Sequence, residues 1–500
     1  AFFLSGLASI IYELTWIRLL RNVFGSDSLA FSSLLTIFIG GIASGTYISG
    51  KMIKKYFSAP NGASEELIAA IDKTKSFFFI FIYGFIELTV GVYALMTPIL
   101  LSENSIGAIW VNFSHILDEN IILISLAKFL ISGIVLILPT LLLGLSYPIL
   151  VELVISNEAK SSSKYRLGSS NLYATNTLGS IFGSIIGGFL LIPNFGLKTS
   201  ILIATLINFF ITFIVYLLNR NNQELFRDFK IKEALAFISK NAQDVKDKAL
   251  IEVSKGFNFW VLVTIGVILG FSNLALEVIW NKIFALIIGS SVFSATIVIS
   301  VVLAGISFGA YSLNYFTNKI KDKDLDGFLS LSIILFAFAI FFSTIFLNSC
   351  PWFFIKINHF FTNIFQDQSW LFVNLTKYIT VSLIIFPVTF LEGLAYAIVL
   401  YKASEISKAR HDPVGSRIAV ISYWNTLGAI AGSFSAGFIL IPFFSQFGSG
   451  ISNSIRFILI MAFITAAISL LTNESFHRKI RLTLVAITAI TCSILLPTLA

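Results

Sequence analysis

Long apolar runs constrain the fold of this chain more than any other feature. Much of the sequence consists of apolar stretches of 18 residues or more, and a helix of that length can cross a hydrocarbon layer about 30 Å thick. The 500 residues are 56% hydrophobic and 12% charged, whereas soluble proteins carry about 25% charged residues. Neither half alternates polar and apolar residues as a β-barrel does. The sequence therefore predicts an all-α, polytopic integral membrane protein.

About thirteen transmembrane helices are predicted, as two sets of six followed by one. The first six-helix repeat covers 1–220, the second covers 257–472, and 473–500 holds the additional helix. Because each repeat has an even number of helices, the two repeats are expected to be parallel. The predicted helices span residues 1–21, 28–50, 77–101, 121–152, 170–192, 198–219, 258–286, 291–316, 328–349, 369–401, 414–442, 454–472 and 480–499.

Basic residues indicate the orientation of the helices. The net charge is +8, and the basic residues lie in short loops beside helix ends, as the positive-inside rule describes. The expected partner is therefore the lipid bilayer rather than nucleic acid. The same rule places the N-terminus and the linker 221–256 in the cytoplasm. That linker is either an amphipathic basic helix on the anionic membrane surface or a solvated tether.

One motif occurs twice and places an acidic residue inside a predicted helix each time. A carboxylate near the middle of a membrane helix costs roughly 2.5–3.5 kcal/mol, so it marks a candidate functional site. The tryptophan three residues later shares a helix face with the acid and can shield it from lipid, and the following base can extend to the interface. The motif is either a site that binds a cation or a proton, or a structural charge pair. Its residues are Glu13, Trp16 and Arg18, and, 264 residues later, Glu277, Trp280 and Lys282.

Four more polar residues fall inside predicted helices. Asn176 and Asn425 stand 249 residues apart, each near the start of the fifth helix of its repeat, and either hydrogen-bond a neighbouring helix or line a path. Glu87 and Glu392 have no acidic counterpart in the other repeat. Such an asymmetric pair suits a directional cation pathway, but divergence after duplication would also leave it.

Small residues recur at helical spacing in both repeats. Gly41 and Gly45 match Gly305 and Gly309 at the 264-residue offset. Stripes of this kind allow helix backbones to approach closely. We therefore predict a packing role for these glycines.

No motif indicates a metal, a cofactor or a catalytic group. The two cysteines, Cys350 and Cys492, lie far apart, and the four histidines form no His-Glu-x-x-His pattern. A phosphate-binding Gly-x-x-x-x-Gly-Lys-Ser/Thr loop is also missing from the sequence. We therefore expect no metal, no cofactor and no catalytic residue in this chain.

The motifs resemble the membrane region of the bacterial proteins in which an MFS-transporter-like part is fused to a spermidine synthase. The similarity extends through both repeats. It is carried by Ser5-Gly6, Tyr12-Glu13, Trp16, Arg18-Leu19-Leu20, Phe24-Gly25-Ser26, Gly40-Gly41, Gly45, Tyr83-Gly84, Glu87, Gly91-Val92-Tyr93, Pro139-Thr140, Gly144, Tyr173-Ala174, Asn176 and Gly179.

The resemblance implies a soluble partner domain with enzymatic activity. In that family, a spermidine synthase (aminopropyltransferase) domain follows the membrane part and transfers an aminopropyl group from decarboxylated S-adenosylmethionine to putrescine. Such a domain would begin where this sequence ends, so no residue of the chain is assigned to that reaction. The family also implies a multi-pass location in the bacterial inner membrane.

The resulting hypothesis is a membrane module that binds or transports polyamines or a related organic cation. The candidate cation partners are Glu13, Glu87, Glu277 and Glu392, because charge-assisted hydrogen bonds to ammonium groups are strong at low dielectric. Two alternatives remain open. The chain is either a non-transporting anchor or scaffold for an aminopropyltransferase domain, or a general secondary transporter with another substrate.

Overall fold

The computed structural model describes residues 1–24, 28–57, 65–114, 121–158, 168–220, 259–287, 292–317, 325–365, 370–409, 414–446, 448, 450–472 and 478–495. Within these residues the secondary structure is helical, without strands. The α-helices are α1 (Phe2–Phe24), α2 (Ser28–Phe57), α3 (Glu65–Leu100), α4 (Ala108–Ser114), α5 (Ile121–Glu158), α6 (Gly168–Ile185), α7 (Ile192–Arg220), α8 (Phe259–Ile287), α9 (Val292–Thr317), α10 (Leu325–Asn348), α11 (Cys350–Phe365), α12 (Trp370–Ala409), α13 (Val414–Phe434), α14 (Ile441–Ser445), α15 (Gly450–Thr472) and α16 (Arg478–Leu495).

The helices are long and apolar enough to confirm a multi-pass membrane protein. An α-helix forms its backbone hydrogen bonds within itself, and this is necessary in a membrane because the hydrocarbon core offers no hydrogen-bond partners. Nine stretches of the described residues have the length and hydropathy of a membrane span: Phe2–Phe24, Phe78–Leu100, Ala127–Leu153, Ala174–Leu218, Phe259–Ile287, Thr296–Phe316, Leu325–Asn348, Phe372–Ser407 and Gly450–Thr472.

Several helices extend beyond their predicted ends. α3 begins at Glu65 and α12 continues to Ala409, because helical backbone extends into the polar residues that flank the apolar runs. Shorter helices, among them α4 and α11, connect some of the spans. The linker 221–256 and the pair Gly25-Ser26, which belongs to the family resemblance, lie outside the described residues.

A glycine separates the two helical segments within the stretch Ala174–Leu218. Gly196 has φ +76° and ψ 175°, a conformation that is almost restricted to glycine because it has no Cβ atom. The predicted break between the fifth and sixth helices, at 193–197, contains this residue.

Matching π-helices occur in the two repeats. They span Ile186–Leu191 and Ser435–Leu440, 249 residues apart, as the sequence offset requires. Each lies just before a proline, Pro193 or Pro442. A proline ring inside an α-helix clashes with the carbonyl group four residues earlier, and in both cases that carbonyl belongs to the wider π turn. The π turns thus accommodate the prolines without ending the helix.

The chain forms two compact units, and each unit combines segments that are distant in the sequence. Unit 1 consists of Ala1–Leu172, Leu197–Lys255 and Leu400–Trp424, and unit 2 consists of Tyr173–Gly196, Gly256–Val399 and Asn425–Ala500.

Unit 1 has an apolar core and a close helix pair. Its core cluster consists of Phe2, Tyr83, Leu150, Ile211 and Val215. Glycines allow α2 and α5 to pack closely. A Cβ atom on Gly41 would lie 1.9 Å from Thr140 Oγ1, and one on Gly45 would lie 2.0 Å from the Leu141 carbonyl oxygen.

Unit 2 repeats the same helix pair with the corresponding residues. A Cβ atom on Gly305 of α9 would lie 1.9 Å from Thr389 Oγ1 of α12, and one on Gly309 would lie 2.0 Å from the Phe390 carbonyl oxygen. The predicted packing role of these glycines is therefore confirmed. The same interatomic contacts between these two helices therefore occur in both repeats.

Candidate functional site

Two carboxylates from different helices approach each other in unit 2. Glu277 lies on α8 and is half-buried, whereas Glu392 lies on α12 and is 4% exposed. Their charges are close enough to interact electrostatically. The Oε2 atom of Glu392 is buried without a hydrogen bond, and neither residue forms an ion pair with any part of the chain that the structure describes. We refer to these two residues as the unit 2 acidic pair.

Uncharged polar groups on α8 accompany the unit 2 acidic pair. Asn273 stands four residues before Glu277, so the two share a helix face. The Oδ1 atom of Asn273 and the Oγ atom of Ser272 are buried and accept no hydrogen bond within the described residues. Among the other residues of the motif, Trp280 is buried and Lys282 is exposed. This part of α8 therefore has unused hydrogen-bonding capacity inside the membrane.

The first copy of the motif lies in unit 1. The Trp16 indole Nε1 donates a 2.9 Å hydrogen bond to Thr97 Oγ1, and its ring stacks on Tyr12 with centroids 5.3 Å apart. Glu13 and Arg18 are half-buried, and one guanidinium nitrogen of Arg18 is buried without a hydrogen bond. Trp16 thus connects α1 to α3, a contact that the motif itself does not indicate.

Glu87 is the most completely buried of the predicted acids. It lies on α3, is 1% exposed, and neither carboxylate oxygen forms a hydrogen bond of normal geometry with the described residues. The hydroxyl groups of Ser5 and Tyr83 adjoin the carboxylate. The structure places Glu87 in unit 1, and Glu392, the other acid without an acidic counterpart, in unit 2.

Of the two predicted asparagines, Asn425 makes a contact typical of helix packing. Asn425 Nδ2 donates a 2.8 Å hydrogen bond to the Gly266 carbonyl oxygen. A Cβ atom on Gly270 would lie 2.1 Å from the backbone oxygen of Asn425, so α8 and α13 are in close contact there. Asn176 is half-buried, and its backbone oxygen accepts a 3.2 Å hydrogen bond from Ser180 Oγ one turn later in the same helix.

Two basic residues inside the helices were not selected from the sequence. Lys128 is 7% exposed, donates from Nζ to the Phe24 carbonyl oxygen at 3.2 Å, and lies 5.1 Å from the centroid of the Trp110 ring. This ammonium group stabilises the C-terminal end of α1, where the helix dipole is negative. Arg456 Nη1 donates to Asn453 Oδ1 at 2.8 Å, while its Nε and Nη2 atoms are buried without partners. In the sequence, each of these residues is visible only as a basic residue within an apolar stretch.

The geometry gives no basis for assigning a metal or a reactive thiol. Among the described residues, no group of three or more His, Cys, Asp and Glu side chains could hold a metal ion. The Cys350 thiol lies at the start of α11, outside the candidate spans, and burial raises its pKa to about 11. It therefore stays protonated at neutral pH.

These features define a polytopic, all-α membrane protein with two repeated halves and buried acidic groups. The chain is similar in fold to a bacterial homologue of the iron transporter ferroportin, crystallised in an outward-facing state with soaked iron. That match has a TM-score of 0.51 and 13% identity, and covers 94% of this chain and 98% of the other. It shows the fold, which confirms the predicted class, an all-α polytopic membrane protein.

A further solved structure is similar over most of its length. It is the MFS proton:xylose symporter XylE bound to 6-bromo-6-deoxy-D-glucose, with a TM-score of 0.45, 14% identity, and 93% coverage of both chains. No protein-family model matches the chain. No curated protein matches it either. The resemblance to the fused spermidine synthase family stays a prediction.

Proposed function

We propose that this chain is a secondary transporter whose cargo is a small organic cation of the polyamine class. The unit 2 acidic pair carries the proposal. The fold supports transport in general, because the similar protein is described as a homologue of an iron transporter. Fold alone does not define a cargo, so the substrate class is argued from the carboxylates.

The unit 2 acidic pair requires a positive partner when it is ionised. A buried charge without a partner is costly, and two nearby carboxylates also repel each other. Among the described residues, no basic side chain pairs with Glu277 or Glu392. An ammonium group from a cargo molecule would supply the opposite charge and donate hydrogen bonds, including one to the unpaired Oε2 atom of Glu392.

A polyamine fits this chemistry better than a monoamine. Putrescine carries two ammonium groups joined by an apolar chain, so one molecule can offer a positive charge to each carboxylate. Asn273 Oδ1, which is buried without a hydrogen bond, offers a further acceptor on the same face of α8. Glu13, the counterpart of Glu277 in the first repeat, stays a separate candidate within unit 1. The resemblance to the fused spermidine synthase family supports the same substrate class, and a bacterial inner membrane as the location.

Uptake into proteoliposomes tests the proposal directly. The purified chain is reconstituted, and the initial uptake of radiolabelled putrescine and spermidine is compared with that of empty vesicles. We expect Glu277→Gln and Glu392→Gln each to reduce uptake by at least about tenfold, because a hydrogen bond to a charged group contributes about 1.5–3 kcal/mol. Glu103→Gln makes the same chemical change at an exposed acid and should leave uptake unchanged.

The outcomes separate the open alternatives. Uptake equal to that of empty vesicles would exclude polyamine transport and favour a membrane anchor for an aminopropyltransferase domain. Uptake of a different class of solute across a substrate panel would favour a general secondary transporter. Polyamine uptake that survives the double Glu277→Gln/Glu392→Gln substitution would exclude the assigned role of the pair. The thermal unfolding of each variant, followed in detergent, confirms that it is folded.

A further inference from the structure

Glu87 is a buried carboxylate that the proposed cargo site does not use. Its oxygens form no hydrogen bond of normal geometry and no ion pair with the described residues. The backbone at Glu87 is nevertheless held by contacts with a neighbouring helix. Asn208 Nδ2 of α7 donates to the Glu87 backbone oxygen at 3.4 Å, and a Cβ atom on Gly91, one turn later, would lie 3.3 Å from Asn208 Cβ. The helix surface around Glu87 is thus fixed by α7.

The neighbourhood of Glu87 combines hydroxyl groups with an apolar wall. Ser5 and Tyr83 adjoin the carboxylate, and both are nearly fully buried. The Tyr83 hydroxyl itself forms no hydrogen bond of normal geometry within the described chain. Tyr83 also belongs to the apolar core cluster of unit 1. Water is therefore excluded on that side of the carboxylate.

Few charged or titratable groups face Glu87 from the elements packed around it. Tyr12 on α1 and Tyr83 on α3 are close enough to interact with it electrostatically. The α-amino group of Ala1, the first residue of the sequence, lies within electrostatic range but makes no ion pair with it. On α7, Asn208 and Thr212 face α3 with uncharged side chains. On α5, the described titratable side chains include Tyr147, which packs against Phe2 and the core cluster.

These surroundings suit a proton better than a larger cation. A hard metal ion such as Ca²⁺ takes about six to eight oxygen ligands, whereas no group of three or more His, Cys, Asp and Glu side chains among the described residues could hold a metal ion. An ionised carboxylate here would be buried without compensation. A protonated one is neutral and can donate a hydrogen bond to either hydroxyl oxygen.

We propose that Glu87 is a proton-binding site in unit 1, separate from the unit 2 acidic pair, and that it loads and releases one proton in each transport cycle. The coupling to transport rests on the proposed function, but the proton site itself does not. In the step, the carboxylate of Glu87 accepts a proton from water on one side of the membrane to form the neutral acid. It returns that proton to water on the other side.

Infrared difference spectroscopy tests the proton site without any transport. The purified protein in detergent is titrated while the C=O stretch of protonated carboxylic acids is recorded. We expect a titrating band in the original protein that is absent from Glu87→Gln, is shifted in Glu87→Asp, and persists in Glu103→Gln. A protein with residues added before Ala1 should show the same band, because Ala1 makes no ion pair with Glu87. An identical band in Glu87→Gln would overturn the assignment.

Transport measurements test the coupling. Putrescine counterflow exchange does not require net proton movement, so Glu87→Gln should retain it. Accumulation driven by an imposed proton gradient should fall to the level of vesicles without a gradient. Gradient-driven accumulation that persists in Glu87→Gln would overturn the coupling role. If the original protein shows neither uptake nor counterflow while its infrared band depends on Glu87, the proposed function fails and the proton site stands.

Discussion

The close pairing of α9 and α12 leads to a quantitative prediction for Gly309→Ala. The added Cβ atom would lie 2.0 Å from the Phe390 carbonyl oxygen and 2.9 Å from the Leu394 nitrogen. Real Cβ atoms essentially never approach a heavy atom closer than 3.0 Å, so the nearest contact is about 1 Å too short. The atoms in the way are backbone atoms, which cannot rotate aside. The two helices must therefore separate to accommodate the methyl group.

The cost follows from two opposing terms. Overpacking of a close-packed core costs about 1–3 kcal/mol, while replacing glycine by alanine within a helix recovers roughly 0.5–1 kcal/mol. We therefore expect Gly309→Ala to lower the free energy of unfolding by roughly 1–2 kcal/mol. Gly45→Ala should have a similar effect, because its Cβ atom would lie 2.0 Å from the Leu141 carbonyl oxygen.

Unfolding in detergent micelles, followed by circular dichroism against heat or added SDS, measures this change. Gly133→Ala is the matched control, since the nearest atom to its Cβ would be Ile37 Cδ1 at 4.0 Å. The control should be unchanged or up to about 1 kcal/mol more stable. If Gly309→Ala unfolds at the same point as Gly133→Ala, the close helix contact is not a source of stability and the reasoning fails.

Two further predictions concern single contacts of unit 1. The buried bond from Trp16 Nε1 to Thr97 Oγ1 should give a coupling energy of about 0.5–1.5 kcal/mol in a double-mutant cycle with Trp16→Phe and Thr97→Val; strictly additive losses would argue against it. Gly196→Ala should destabilise by about 1–3 kcal/mol, because φ +76° with ψ 175° strains any residue with a Cβ atom. The cause there is backbone strain rather than crowding, since no atom lies within 4 Å of the added methyl group. Unchanged thermal unfolding of Gly196→Ala would contradict that conformation.

The apolar runs and internal repeats made the fold predictable. Length and hydropathy set the membrane spans, and two offsets, 264 and 249 residues, related the halves. The same offsets relate the atomic contacts of Gly41 with Thr140 and of Gly305 with Thr389. Repeated small residues have few uses in a membrane other than close packing, which is why their role could be inferred from one sequence.

The candidate site was only partly predictable, because neighbours on other helices leave no local signal. An acidic residue within an apolar run can be recognised from the sequence alone, as Glu277 and Glu392 were. Their proximity depends on the rotation of α8 and α12, which nothing in either segment specifies. For the same reason the hydrogen bond from the Trp16 indole to Thr97 of α3 could not be predicted from the motif. Lys128 was overlooked, although a second lysine, Lys377, stands 249 residues later at the repeat offset.

The discontinuous make-up of unit 1 has a consequence for how the protein is made. Its segments Ala1–Leu172 and Leu400–Trp424 leave the ribosome well apart in time, with a delay of roughly 10–45 s at ordinary rates of synthesis. A nascent chain that ends before Leu400 therefore contains unit 1 only in part. The quality-control machinery of the membrane must therefore tolerate an incomplete unit 1 during the synthesis of every molecule.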